Sequence, residues 1–164
     1  MNKMRSVVLV AATMATGLAA GVFGLYAHTV MPGLAPTDDR TFVAAFQALD
    51  GAIINPWFML TFMGGPVLLA IAAVLYWRQR GVLVWVLIAL ALTVVGFAVT
   101  VGVNVPLNDA LKAAGNPDRI ADLAEVRRRF DEGTWVTFNM VRTVTATVAF
   151  FSLCVGLIRS GRMS

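Results

Sequence analysis

Trp135, Asn139 and Arg142 are spaced by four and then three residues, so on a helix their side chains share one face. That face carries a flat indole, an amide and a permanent cation. In a site kept from water, a guanidinium and amide donors stabilise negative charge, and an indole stacks on a flat ring. Asn104 and Asn108, four residues apart with Pro106 between them, bring two more amides. Pro106 lacks an N–H and is expected to break the helix there, freeing backbone carbonyls. Tyr26, His28 and Asn55 add a phenol, an imidazole and a further amide. By type, His28 or Asp109 is a base for proton abstraction, at a distance the sequence does not give.

Arg142 is the lone charged residue in "WVTFNMVRTVTATVAFFSLCVGL", residues 135–157. Two readings of it stand open. It lies ten residues beyond Glu132, about 15 Å along a helix, and a guanidinium can snorkel several ångströms back to an interface. Alternatively, because a charge at that depth costs at least about 2.5 kcal/mol, it faces the interior of a bundle and a partner there. Asp50 and Asp109 are candidate partners, and the asparagines are neutral acceptors. Asn104, Asn108 and Asn139 fit interhelical hydrogen bonding as well as ligand contact, and His28 fits a satisfied interfacial histidine as well as a base.

The elements that must position these residues are apolar. Of 164 residues, 59% are hydrophobic and 13% charged, against averages near 45–50% and 25% in soluble domains. Mean hydropathy is +0.78. Four runs, about 7–30, 53–77, 82–103 and 135–158, are long enough to cross a hydrocarbon core of about 30 Å. The chain reads as all-α: a four-transmembrane-helix bundle forming a single membrane domain over 1–164. The first run also resembles a cleaved signal peptide, with Lys3, Arg5 and "GLAAG", but it exceeds the usual apolar length and is taken as retained. Gly17, Gly21 and Gly24 allow close helix approach. The net charge of +4 comes without interleaved bases and aromatics, so no nucleic-acid partner is expected. The single cysteine, Cys154, cannot build a disulfide or a cysteine metal site within the chain.

Charge placement gives an orientation. Lys3, Arg5, Arg78, Arg80, Arg159 and Arg162 sit in short segments beside the runs, whereas all nine acids lie in the two longer loops. Both termini are therefore expected to be cytoplasmic. Each longer loop is expected to hold a short interfacial helix. One starts at Thr37 as N-cap, repeats Phe42, Phe46 and Leu49, and ends at Gly51; the other runs from Asn116 and Pro117 to Gly133. In the second, Arg127 and Asp131, Arg128 and Glu132, and Glu125 and Arg129 have the spacing of surface ion pairs. Alternation of the spans brings Tyr26, His28, Asn55, Asn104, Asn108, Trp135, Asn139 and Arg142 to the outer end, which suggests a partly wet interior pocket.

"VNVPLNDAL", "WVTFNMVRT", "VMPGL" and "INPWF" resemble a family of small four-helix membrane proteins that includes the fungal anthrone oxygenases. The N-x-P-L-N and W-x-x-x-N-x-x-R patterns are intact, and through them Asn104, Pro106, Asn108, Trp135, Asn139 and Arg142 carry over; His28 matches no motif. The resemblance implies oxygenation of anthrones to anthraquinones, and the nearer likeness to bacterial members implies a bacterial plasma membrane. One histidine, one cysteine and no acid within a span leave no ligands for a di-iron or copper centre, so neither metal nor cofactor is expected. An ionised anthrone is electron-rich enough to meet oxygen directly. Arg142, Asn139 and Asn104 would stabilise the anion, His28 is a possible base, and Trp135, Asn108, Asn55 and Tyr26 would bind the ring. The alternative is a non-enzymatic membrane protein that binds a lipid, quinone or partner protein. The bilayer and a lipophilic aromatic are the expected partners; oligomeric state is left open.

Overall fold

The computed structural model describes residues 3–162, which are helical almost throughout. In chain order the elements are α1 (Lys3–Leu25), α2 (Met31–Leu34), α3 (Asp39–Ile53), α4 (Pro56–Leu75), α5 (Arg80–Val99), α6 (Val105–Ala113), α7 (Leu123–Phe130) and α8 (Glu132–Arg162). Four continuous or nearly continuous stretches are long and apolar enough to cross a membrane: Lys3–Leu34, Pro56–Leu75, Arg80–Ala113 and Leu123–Arg162. The all-α bundle of four membrane helices expected from hydropathy is present. Three of its spans run further than expected, because their polar ends stay helical.

Two prolines explain much of that extension. One wide π turn, Tyr26–Val30, joins α1 to α2, and another, Thr100–Asn104, joins α5 to α6. Each is followed, one residue on, by a proline: Pro32 and Pro106. A proline donates nothing to the carbonyl four residues back, and its ring crowds that carbonyl. Widening the turn relieves the clash, so that Met31 N–H reaches Tyr26 O and Val105 N–H reaches Thr100 O. Pro106 therefore does not break the third span as expected. The helix continues and carries Asn108 and Lys112 onward.

Helix approach is closest where small residues oppose large ones. A Cβ at Gly17 would lie 2.8 Å from the Phe150 ring, so any larger residue there would force that ring to move where α1 packs on α8. Gly21 meets nothing within 4 Å and Gly24 only touches Thr143 and His28 loosely, so the expected role holds for Gly17 alone. At the end of the bundle that holds the termini, Leu9, Leu69, Val86 and Leu153 form one buried cluster, and Tyr76 Oη lies 3.0 Å from Ser160 Oγ.

At the opposite end the loops stack over the bundle. Phe42, Phe46, Leu111, Phe130 and Trp135 form a second buried cluster, so α3 and α7 cap the bundle as well as lying beside it. Asp38, not Thr37, caps α3, accepting from Thr41 N–H at 3.0 Å, and α3 continues past Gly51 to Ile53. The second loop is not one helix to Gly133. Asn116 does cap a short 3-10 turn, Pro117–Arg119, but α7 starts afresh after Asp122 and stops at Asp131, whose φ of 51° is left-handed. Aspartate tolerates that conformation, and its carboxylate then caps Thr134 N–H at 3.1 Å to start α8. Of the three expected ion pairs, Glu125–Arg129 forms, while Arg128 turns back to Glu125. Arg127 instead donates to Thr37 O at 2.8 Å, Ala35 O at 2.9 Å and the Glu132 carboxylate at 3.0 Å, and lies over the Phe42 ring. It clamps one loop onto the other.

Candidate functional site

Between the two apolar clusters lies a cavity of about 300 Å³, at the lower end of the roughly 300–1,000 Å³ of small-molecule sites. Its inner wall holds Tyr26, Phe46, Asp50, Trp135, Asn139 and Arg142. Phe58 and Phe62 stack with planes 9° apart on another side. Ile54, Met59, Met63 and Val101 also line it and are exposed, so its mouth is an apolar rim between α4 and the end of α5. In a bilayer such a rim faces acyl chains.

Spacing alone brings Trp135, Asn139 and Arg142 to one face of α8, and all three are buried. Asn139 has no exposed surface and sits between two partners: its Nδ2 donates to Phe23 O at 3.1 Å, and its Oδ1 accepts from Arg142 Nη2 at 2.7 Å. The Arg142 guanidinium carbon lies 4.7 Å from the Phe23 ring centroid and 5.4 Å from that of Trp135, both within cation–π range. Its Nε–H has no acceptor, and no carboxylate pairs with it among the described residues. Arg142 is 7% exposed, and its guanidinium, packed on Phe23 and Trp135, does not snorkel to an interface. It is a buried cation held by neutral groups, on the wall of the cavity.

A second polar chain crosses the same wall. Trp135 Nε1 donates to Asn108 Oδ1 at 2.7 Å, Asn108 Nδ2 donates to Asp50 Oδ1 at 2.8 Å, and Asp50 Oδ2 meets Lys112 Nζ at 2.7 Å. The Asp50 side chain is 9% exposed and that of Lys112 44%, so the chain runs from the cavity to the surface. Asp50 is thus paired with Lys112, not with Arg142. It is the only carboxylate on the cavity wall among the described residues. Its signal is present in the sequence, since Phe42, Phe46 and Asp50 recur every four residues and share the buried face of α3.

Other expected site residues fall elsewhere. His28 is exposed, with Nδ1 2.7 Å from Thr29 Oγ1, and does not reach the cavity. Asn55 caps α4, accepting from Phe58 N–H at 3.0 Å and donating to Ala52 O at 2.9 Å. Asn104 is fully buried and donates to Trp135 O at 3.1 Å, which braces the α5–α6 turn against α8 behind the wall. Asp109 is exposed. Tyr26, Asn108, Trp135, Asn139 and Arg142 do converge. Among the described residues no three His, Cys, Asp or Glu side chains gather as a metal-binding set.

No curated protein and no solved structure matches the chain. The family model described as anthrone oxygenase matches residues 57–152, more than half the sequence. The match contains Asn104, Asn108, Trp135, Asn139 and Arg142 and the apolar helices that hold them, and on that extent the chain belongs to the anthrone oxygenase family.

Proposed function

We propose that this protein is a cofactor-independent membrane oxygenase for a flat, acidic, lipophilic aromatic of the anthrone class. The substrate enters from the bilayer and binds in the cavity at the loop end. The observation that carries this reading is Arg142: a buried cation on a cavity wall, with an unpaired Nε–H and no carboxylate partner. An unpaired buried charge costs several kcal/mol, and an anion in the cavity would offset that cost. Family membership supports an oxygenation as the reaction class.

The chemistry follows from the wall. Asp50, in place of His28 or Asp109, takes a proton from the substrate CH2 next to the rings, and Lys112 links it to the surface. The resulting anion rests against Arg142, with Trp135 and Tyr26 against its ring faces. It passes an electron to dioxygen, the carbon–oxygen bond forms, and loss of water leaves a carbonyl. One dioxygen converts one CH2 to one C=O and one water. We place the loop end on the outer face of a bacterial plasma membrane, both termini being cytoplasmic.

Oxygen uptake by the purified protein with an anthrone tests this. The native protein should consume one dioxygen per substrate. Arg142→Ala should lose about a hundredfold in kcat, the scale of removing one oxyanion donor, and Asp50→Asn a similar factor. Undiminished turnover in a folded Arg142→Ala protein would overturn the mechanism.

A further inference from the structure

Beneath the first cavity lies a second, of about 40 Å³. Its walls are small and apolar: Ala15 and Ala19 of α1, Gly65 of α4, Gly96 of α5 and Ala146 of α8. Phe23, Phe62 and Arg142 line both cavities, so only these three side chains separate the spaces or are shared between them. The threonines around it are turned to their own helices. Thr16 donates to Ala12 O at 2.8 Å, Thr61 to Trp57 O at 2.9 Å and Thr145 to Val141 O at 2.9 Å. Thr93 Oγ1 and Arg142 Nε are the polar atoms there without a partner, whereas a buried water usually makes about three hydrogen bonds. The space suits a small apolar molecule better than water.

We infer that this small cavity is a dioxygen site, which holds the co-reactant beside the substrate anion. This rests on the oxygenase reading above. Dioxygen is apolar, dissolves better in hydrocarbon than in water, and reaches a site among membrane helices from the bilayer. The size, the mostly apolar lining and the shared wall together carry the inference. When the substrate anion gives one electron to dioxygen, the products are a substrate radical and superoxide, which combine to form the carbon–oxygen bond. The negative charge moves from one cavity toward the other during that step. Arg142 lines both, so one cation stabilises the charge on either side of the transfer.

Xenon, an apolar probe of similar size, tests the site without any turnover. Crystals of the native protein under xenon pressure should show xenon among Ala15, Gly65 and Ala146. A methyl group at Gly65 would lie 3.9 Å from Ala15 Cβ, an ordinary contact, so Gly65→Ala should fold, fill the cavity and exclude xenon. Gly65→Ala should also raise the KM for dioxygen several-fold while leaving the KM for the aromatic substrate unchanged, and Ala15→Val should do the same. Ordered water in place of xenon in the native protein would overturn the inference. So would an unaltered oxygen dependence in both filled variants. If xenon binds but the native protein takes up no oxygen with any anthrone, the failure belongs to the oxygenase reading.

Discussion

Arg142 is ordered by groups that carry no formal charge: the Asn139 amide oxygen and the faces of Phe23 and Trp135. That arrangement leaves its positive charge uncancelled while fixing where it points. Substituting Asn139→Asp separates the two roles. The hydrogen bond to Arg142 would persist as a charge-assisted one while the new carboxylate cancels the cation; the bond to Phe23 O is lost as well, and Asn139→Leu, which loses that bond without adding a charge, is the control. We expect a folded protein whose affinity for an anionic aromatic falls at least about tenfold, close to 1.4 kcal/mol, measured by titration against native protein; unchanged affinity would mean that the charge plays no part in binding. The spacing of Trp135, Asn139 and Arg142 was readable in the sequence because a helix face is fixed by period alone. The proposed base, Asp50, was not, because residue type alone points to His28 and Asp109. A wide turn and an exposed helix face point them away, whereas Asp50 arrives from a loop helix whose docking no local pattern states.

Helix ends differ from helix middles in what they disclose. The four spans are plain from hydropathy, because about 20 apolar residues admit few other structures. Their ends depended on Pro32 and Pro106, and a proline in sequence does not say whether a helix stops or widens; here both helices widen and go on. Caps are decided by single hydrogen bonds. At α3, Thr37 Oγ1 bonds back to Leu34 O at 2.6 Å, so the neighbouring Asp38 takes the cap. The Thr41 hydroxyl and then its N–H hold the Asp38 carboxyl below the usual aspartate range. A group whose folded pKa is depressed adds stability above its ordinary pKa, near about 3.9, and that contribution is lost as pH falls through the lower folded value. A carboxyl-carbon NMR titration should therefore find Asp38 titrating below an ordinary aspartate, and Thr41→Val should move it back up. An unchanged midpoint in that variant would show that the Thr41 hydroxyl does not hold the Asp38 carboxylate in solution.

The whole molecule is arranged around a gap between two apolar clusters, one at the end with the termini and one under the loop helices. Arg127 holds the loops together, with its guanidinium bound to Thr37 O, Ala35 O and Glu132. The sequence suggested only surface ion pairs for this residue, since the carbonyls of Thr37 and Ala35 lie about 90 positions away. Fold class and family were legible, because apolar period and two short motifs carry them. The cavity was legible only as a gathering of polar ends; its aromatic walls and its mouth toward lipid needed helices placed in space. In the proposed mechanism this cavity stabilises the anion of a flat aromatic through Arg142. The most direct test is the colour of a non-reactive hydroxyanthraquinone, whose neutral and anionic forms absorb differently, titrated while bound. Binding to native protein should lower its pKa by about 1 to 3 units, the effect of an opposite charge within contact range, and Arg142→Gln should abolish the shift. A bound pKa that is unchanged or raised in the native protein would rule out anion stabilisation by Arg142.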